Sequence, residues 1–330
     1  MHTRIIRRNP FFKSTILLFL FLFGIYSQIA GQSSISFLGN SDSVEIFAPG
    51  VVSTFYNERD FALNSDHNLF CFSFASFDNK KRSIVFSKKE SAEWSNPEVV
   101  SFSGLYDDLE PFFAPDTKKV FFASNRPLPG ETLKGDYNIW YTELKDSLWT
   151  SPVALDTIIN QEGDEFFPSV ASNGNLYFTA TRKDGIGKED IFVAEFNGLN
   201  FSKPTVLPVE INTETYEFNA FINPEENLLI FSSYGRTDDL GGGDLYYSKK
   251  DENGEWTKSV HLPKPINSEK LDYCPFYDED TQTLFFTSNR KGPENEENQS
   301  LNELKTDQTS ILNGFGNIFK IKAKSYFTGK

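Results

Sequence analysis

The chain has 330 residues, of which 38% are hydrophobic and 15% aromatic, and its formal net charge is −14. A chain of this length buries enough apolar surface to fold without disulfide cross-links. Its acidic surface repels nucleic acid and anionic membranes, which argues against a nucleic-acid-binding protein and favours cationic partners.

The first 31 residues have the layout of a secretory signal peptide. A basic N-terminal region is followed by the apolar run 16–25 and by a segment of small and polar residues that ends at Gly31. The run is shorter than the about twenty residues of a transmembrane helix, and an uncleaved signal anchor is the alternative. Cleavage after Gly31 would remove four of the 32 basic residues and none of the 46 acidic ones, which gives a net charge of −18. With no lipid-attachment cysteine near the cut, we expect a periplasmic or extracellular protein without a membrane span.

The two cysteines, Cys71 and Cys274, lie in separate strand-like segments. Two cysteines do not form a disulfide framework in a chain of this size. We interpret them as buried free thiols, and a single bridge between them is the alternative.

Five segments with the same order of features follow along the chain. Each segment opens on an acidic residue and an apolar strand, and the five leading acids are Glu58, Asp108, Glu165, Glu217 and Asp272. A polar turn and a second apolar strand come next, and in four segments this strand ends at an arginine: Arg126, Arg182, Arg236 and Arg290. Two further short strands complete each unit. Four strands in about fifty residues are typical of a β-propeller blade, and no helical periodicity interrupts them.

The two ends of the chain complement each other. The last repeat stops after 317–321 without a fourth strand, whereas the segment 44–52 precedes the first repeat. Its Pro-Gly-Val-Val at 49–52 resembles the fourth-strand segments at 97–100 and 152–155. An N-terminal strand that completed the last blade would close the ring and remove both open edges. The sequence therefore predicts an all-β fold over residues 32–330, a propeller of five four-stranded blades.

Several short motifs resemble the WD40-like PD40 repeat of the TolB-type propellers. They are Ala-Pro-Asp at 114–116, Phe-Ala-Ser-Asn-Arg at 122–126, Phe-Thr-Ser-Asn-Arg at 286–290, Asp-Ile-Phe at 190–192 and Asp-Leu-Tyr at 244–246. The resemblance covers residues 58–321 approximately. It implies a scaffold, a peptidase propeller domain or a component of an envelope complex. Many members have six blades, so a six-bladed ring is the alternative to five.

The repeated acid and arginine lie at the same end of an antiparallel hairpin, where strand C also begins. We therefore expect structural brackets in which a guanidinium holds one or two carboxylates. The expected sets are Asp108 with Arg126, Glu165 with Arg182 and Asp190, Glu217 with Arg236 and Asp244, and Asp272 with Arg290. The first blade has Ser76 and Ser83 at the positions of the arginine and the strand-C aspartate.

The alternative is that the five leading acids surround the channel mouth and bind a cation or act as an acid–base pair. Catalysis needs carboxyls in different environments, whereas these acids occupy equivalent positions. We assign no catalytic residue, metal ligand or cofactor. Beyond the signal peptide the chain has only His67 and His261, too few for a multi-histidine metal site. The tryptophans Trp94, Trp149 and Trp256 are expected between blades, with carbohydrate stacking as the alternative.

The irregular loops between strands B and C lie on the same face as the brackets, which we call the loop face. They include a polar insertion at 291–314, for which disorder and a short helix formed on binding are both open. Candidate binding residues on this face are Glu58, Asp238, Asp239, Leu301 and Leu304. We predict a binding scaffold for a protein or peptide in the cell envelope, as a monomer or a subunit of an envelope complex. A glycan-acting hydrolase that uses channel-mouth carboxylates is the alternative.

Overall fold

The computed structural model describes residues 35–91, 93–115, 118–133, 135–293 and 300–327. The expected signal peptide, residues 1–31, lies outside these ranges. Within them, no helix is both long enough and apolar enough to cross a membrane.

The described chain forms a β-propeller of five blades, with a short strand, β1 (Glu45–Ile46), before the first blade. The strands of blades one and two are β2 (Asn57–Leu63), β3 (Leu69–Ala75), β4 (Arg82–Glu90), β5 (Glu93–Trp94), β6 (Glu98–Val99), β7 (Asp108–Phe113), β8 (Lys119–Ser124), β9 (Asn138–Lys145), β10 (Leu148–Trp149) and β11 (Val153–Ala154).

The remaining three blades follow the same order. The strands of blades three and four are β12 (Glu165–Val170), β13 (Leu176–Ala180), β14 (Asp190–Ala194), β15 (Thr205–Val206), β16 (Tyr216–Ile222), β17 (Leu228–Tyr234), β18 (Asp244–Lys249) and β19 (Val260–His261). The elements of blade five are β20 (Asp272–Asp278), β21 (Thr283–Ser288), α1 (Leu301–Gln308), β22 (Asn317–Lys322) and α2 (Lys324–Phe327).

Most residues of the inner three strands of each blade are buried, on both faces of the sheet. Every residue of β8 except Lys119 and every residue of β21 is buried, because each blade packs against a neighbour on either side. This arrangement explains the continuous apolar runs where a half-exposed sheet would show alternation. Trp256 illustrates the packing between blades, since its ring centroid lies 6.5 Å from that of Tyr177 in the preceding blade.

The ring closes at the N-terminal strand, and the five-bladed prediction is confirmed. β1 pairs with β22, with Glu45 opposite Lys320 and Ile46 opposite Phe319, so β1 is the fourth strand of blade five. β1 lies within the predicted segment 44–52, but it is not the Pro-Gly-Val-Val part that resembles the other fourth strands. The Pro-Gly-Val-Val segment instead forms a turn, in which the amide of Val52 bonds the carbonyl of Ala48.

Every inner strand carries a β-bulge at the same position. The register shifts just after the leading acid in β2, β7, β12, β16 and β20. The residue two places after each leading acid has a left-handed backbone with φ between 48° and 61°, and these residues are Asp60, Glu110, Phe167, Asn219 and Cys274. A bulge redirects the side chain of the extra residue. Contacts between these residues from different blades place them together at the propeller axis.

The insertion at 291–314 contains the helix α1. Ser300 caps it through a reciprocal capping box with Glu303, in which the serine hydroxyl accepts from the Glu303 amide. Leu312 packs against the core, and Lys291 pairs with Asn313 as an isolated bridge. In its described part the insertion thus contains a capped helix, and the bridge between Lys291 and Asn313 joins the two ends of the insertion.

Candidate functional site

The leading acids of blades two to five each contact the arginine of the same blade. The N–O distances are 2.5 Å for Arg126–Asp108, 2.8 Å for Arg182–Glu165, 3.0 Å for Arg236–Glu217 and 3.1 Å for Arg290–Asp272. Each arginine also donates to a backbone carbonyl of the loop that precedes strand A, for example Arg236 to Ile211 at 2.5 Å. The guanidinium thus fixes the acid and its loop together.

The second acid expected in two brackets contacts other groups. Asp190 accepts from the backbone amides of Ile186 and Gly187 in its own loop, at 2.8 and 3.0 Å. Asp244 accepts from the amide of Leu240 and lies 2.7 Å from Nε2 of His261. The prediction that Asp190 contacts Arg182 and that Asp244 contacts Arg236 is therefore wrong. These two aspartates stabilise the B–C loop. Their short side chains accept hydrogen bonds from backbone amides close in sequence rather than from the arginine.

Glu58 of blade one has no arginine partner among the described residues. It accepts from the hydroxyl of Thr54 at 2.5 Å and the Thr54 amide at 3.0 Å, and Asn317 approaches it at 3.4 Å. Burial raises the pKa of Glu58 to about 7. Because only 1% of its surface is exposed, Glu58 does not contribute to a binding surface, contrary to expectation.

A second repeated polar residue precedes each leading acid by five positions, and the sequence analysis missed it. It is asparagine in blades three to five and serine in the other two: Asn160, Asn212, Asn267, Ser53 and Ser103. The Asn212 side chain accepts from the Ile191 amide at 2.9 Å and donates to the Ile191 and Leu207 carbonyls at 3.0 Å. It joins strand C to strand D and to the following loop. The Ile-Asn pair before three of the acids was the available signal.

The residues at the bulge position form a polar network across the axis. Oε1 of Glu110 lies 3.0 Å from Nη2 of Arg59 in blade one and accepts from the side-chain Nδ2 of Asn219 in blade four at 3.3 Å. Its Oε2 accepts from the backbone amide of Phe167 in blade three at 2.7 Å. Arg59 also contacts Cys274 of blade five at 3.5 Å. We call Arg59, Asp60, Glu110, Asn219 and Cys274 the axial network, and it connects blades one, two, four and five directly and blade three through Phe167.

A single residue explains why Glu110 reaches the third blade. In three blades the amide at the bulge bonds a hydroxyl from strand B of the preceding blade, for example Asn219 to Thr179 at 3.1 Å. The equivalent residue in β8 is Ala123, which has no hydroxyl. The backbone amide of Phe167 donates instead to the carboxylate of Glu110.

The axial network holds charged groups away from water. Only 4% of Glu110 is exposed, and burial together with Asp60 raises its pKa to about 7, against the opposing effect of Arg59. Burial also raises the pKa of the Cys274 thiol, so this thiol stays protonated and is a poor nucleophile. Both Cys71 and Cys274 are free and buried.

A cavity of about 270 Å³ opens on the loop face above the axial network. Its wall contains Arg59, Glu110 and Asn219 together with the aromatic side chains Phe166, Phe218 and Tyr273, and its rim includes Arg82 and Glu189. Burial and the neighbouring Asp164 and Asp190 raise the pKa of Glu189 to about 7.

The Arg82 guanidinium on this rim is paired. It contacts Asp107 through two nitrogens, at 3.0 and 2.6 Å, and Tyr137 donates to the same carboxylate. These bonds hold the pKa of Asp107 below its usual range despite burial.

An aromatic patch lies on the loop face, at the junction of blades one and five. It consists of Phe55, Tyr56, Phe74, Phe77 and Phe315. The rings of Phe55 and Tyr56 stack at 4.3 Å, and Phe77 lies 5.1 Å from Tyr56 and 5.6 Å from Phe315. More than half of the Phe77 side chain is exposed. The other four rings are partly buried, so Phe77 is the exposed part of the patch. Exposed apolar surface is typical of interaction sites.

The helix α1 ends next to this patch. The side-chain amide of Asn313 donates to the carbonyls of Phe55 and Gln308, at 2.8 and 3.1 Å. Leu301 and Leu304 on the helix are 66% and 45% exposed.

The other two predicted binding residues, Asp238 and Asp239, occupy the B–C loop of blade four. Both accept from the Tyr246 hydroxyl, at 2.8 and 2.9 Å, and Asp239 also accepts from the amides of Gly235 and Arg236. Their carboxylates order the loop, and their role in binding stays a prediction.

Comparisons with known proteins find similarity to solved structures only. No family model matches the sequence, and no curated protein matches it. Similar solved structures include TolB from Acinetobacter baumannii (11% identity, 80% of this chain and 54% of that chain, TM-score 0.47) and a putative TolB from Agrobacterium tumefaciens (13%, 71% and 70%, 0.46). A GH43 endo-arabinanase from Bacillus licheniformis is similar to the same extent (8%, 80% and 93%, 0.47). The chain spans about half the length of the Acinetobacter protein.

The axial network is a second polar cluster that the sequence analysis missed. The leading acids are recognisable in the sequence because they repeat in every blade. The position two residues later does not repeat, since it holds Asp, Glu, Phe, Asn and Cys in turn. A position that changes chemistry between otherwise similar blades is the signal that points to it. The geometry of the bulge, which turns these side chains inward, becomes apparent only in the fold.

Proposed function

We propose that the protein is a secreted binding module of the cell envelope that docks a protein or peptide partner on its loop face. The aromatic patch is the observation that carries this proposal. The exposed ring of Phe77, the four partly buried rings around it and the exposed leucines of α1, a helix that ends beside the patch, offer apolar surface for a partner. Aromatic anchors of this type dominate binding energy at protein interfaces. Secretion rests on the sequence of the first 31 residues.

The state of the leading acids supports a binding role over catalysis at those positions. Asp108, Glu165, Glu217 and Asp272 are all buried and all in contact with an arginine. A carboxylate held in this way is neither free to accept a proton from substrate nor open to it. The same acid–arginine contact recurs in four blades, as expected of a contact that stabilises each blade.

The proposal is tested by direct binding. Residues 32–330 would be used to capture a partner from the native cell envelope, and the identified partner would then be purified and titrated. The variant Phe77→Ala/Leu301→Ala removes two exposed apolar side chains of the loop face. The matched control Leu148→Ala/Leu199→Ala removes two exposed leucines from C–D turns on the opposite face.

We expect the loop-face variant to raise Kd at least tenfold, the effect of losing about 1.4 kcal/mol. The control should bind like the original protein. Equal affinities for both variants would exclude the loop face as the docking surface.

A glycan-acting hydrolase is the second candidate, and Glu110 and Glu189 are the observation that favours it. Both line the loop-face cavity with a pKa of about 7, which keeps a fraction of each carboxyl protonated at neutral pH. The binding proposal predicts no reducing-sugar release from a panel of polysaccharides. Release that Glu189→Gln abolishes, and that the exposed control Glu214→Gln retains, would establish the hydrolase instead.

A further inference from the structure

A second cavity of about 230 Å³ lies at the other end of the propeller axis, on the face formed by the A–B turns. The inner strands place it below the axial network, because Phe112, Phe221 and Phe276 each follow the bulge residue of their strand by two positions. These three side chains line the cavity and pack on one another, with ring centroids 5.3 Å apart for Phe221 and Phe276. The cavity therefore has an apolar wall.

The rim of this cavity is acidic. Four carboxylates surround it, from the A–B turns of blades four and five: Glu225, Asp278, Glu279 and Asp280. One basic side chain, His67, lines the same cavity, with ring nitrogens 3.0 Å from Asp278 and 3.7 Å from Asp280. Two of the four acids thus share the histidine.

The other two acids, Glu225 and Glu279, have no basic partner among the described residues. A single donor holds them together: Nδ2 of Asn223 lies 3.1 Å from Oε2 of Glu225 and 3.1 Å from Oε1 of Glu279. Asn223 itself is buried, and its side chain also bonds Asn227 and the turn backbone. The turn is consequently fixed, and it holds the two carboxyl groups side by side at the opening of an apolar cavity. Burial and the neighbouring Glu225 raise the pKa of Glu279 above its usual value.

We propose that this cavity binds a small organic cation, with an ammonium group between Glu225 and Glu279 and an apolar body against Phe112, Phe221 and Phe276. An ammonium has three N–H donors, enough to bond both carboxylates. It also removes the repulsion between two like charges that the fold holds together. The aromatic wall favours the same ligand, since the faces of aromatic rings attract cations and apolar groups alike.

The size of the cavity limits the ligand. A volume near 230 Å³ suits a molecule of the size of a single amino-acid side chain with its amine, and excludes a folded partner. The proposed site is independent of the loop face, because the A–B turns lie at the opposite ends of the strands. Its failure would leave the docking proposal unaffected.

The test uses three probes of nearly equal shape and different charge: 2-phenylethylamine, 2-phenylethanol and 3-phenylpropionate. Calorimetric titration into residues 32–330 at pH 8 should give a Kd below about 1 mM for the amine, about −4 kcal/mol by conversion. The alcohol should bind at least tenfold more weakly, and the carboxylate should show no binding. Equal binding of all three probes, or no binding of the amine, would refute the cation site.

Variants locate the site on the molecule. Glu225→Gln/Glu279→Gln keeps the shape of the rim and removes both charges, and should weaken amine binding at least tenfold. Glu252→Gln, an exposed acid on a C–D turn of the same face, is the matched control and should leave binding unchanged. If both variants weakened binding equally, the effect would come from net charge rather than from this cavity. Thermal unfolding of each variant verifies that the propeller is intact.

Discussion

Nη2 of Arg59 lies 3.0 Å from Oε1 of Glu110, and this ion pair joins the inner strands of the first two blades at the propeller axis. Its partners extend the connection to the other three blades. Both side chains are almost fully buried, at 11% and 3% exposure. Leaving a buried charge without its partner lowers the free energy of unfolding. A single substitution in this pair should therefore destabilise the whole propeller.

Arg59→Met is expected to lower the free energy of unfolding by about 3–5 kcal/mol, because it leaves Asp60 and Glu110 buried without their cation. Urea denaturation measures the loss. Lys89→Met, at an exposed position of β4, should change stability by less than about 0.5 kcal/mol. A loss as small for Arg59→Met as for Lys89→Met would mean that the axial network contributes little.

The pH dependence of stability follows from the raised pKa of Glu110. A carboxyl whose pKa is about 7 in the folded chain and 4.5 in the unfolded chain binds more protons when folded between these values. Stability contributed by this group therefore falls as pH rises from about 4.5 to about 7, and it changes little above that range. Glu110→Gln should reduce the fall over this window relative to the unmodified chain, as measured by denaturation at several pH values. Parallel curves for the two proteins would contradict the assignment.

The bracket of blade three is tested by Arg182→Met. This change leaves Glu165 buried and removes a donor to the Ile159 carbonyl, so we expect a loss of about 3–5 kcal/mol in unfolding free energy. The neighbouring, exposed Lys183→Met serves as the control. An unchanged denaturation midpoint in both would show that the bracket is dispensable.

Asn212 is expected to be as important as the more conspicuous acids. Asn212→Ala removes the partner of the Ile191 amide and the side-chain donor to the Leu207 carbonyl, whereas the Ile191 carbonyl still accepts from the Leu207 amide. Each group left unsatisfied costs about 1–3 kcal/mol. Thermal and urea unfolding should both shift, whereas Asn253→Ala in an exposed turn should not. The idea fails if the two variants unfold alike.

Closure of the ring depends on the segment that carries β1. Phe47 is fully buried, and its ring lies 5.3 Å from that of Phe285 and 5.1 Å from that of Phe61. Phe47→Ala should therefore cost about 3–5 kcal/mol. Unfolding monitored by tryptophan fluorescence is a suitable measurement, and Leu38→Ala, at an exposed site nearby in sequence, is the control. A neutral effect of Phe47→Ala would show that the N-terminal segment is not needed to close the propeller.

The sequence by itself determined the architecture, because each blade repeats the same order of strands and turns. It also identified the acid and arginine of blades two to five, since antiparallel pairing brings the start of strand A next to the end of strand B. It placed the closing strand within the segment 44–52, but the resemblance of 49–52 to the other fourth strands pointed to the wrong part of that segment. A two-residue strand such as Glu45–Ile46 has too little pattern to fix its register.

The tertiary structure alone decided which polar groups meet across blades. Glu110, Arg59, Asn219 and Cys274 are far apart in sequence and share no motif, and a bulge turns each inner-strand side chain toward the axis. The second acids, Asp190 and Asp244, were misassigned because strand order predicts which ends are adjacent but not which nearby donor a carboxylate reaches first. Glu225 and Glu279 likewise became neighbours only when two blades were packed side by side. The repeated sequence specifies the propeller fold. Contacts between non-equivalent residues of different blades give the cavities at the two ends of the axis different polar groups.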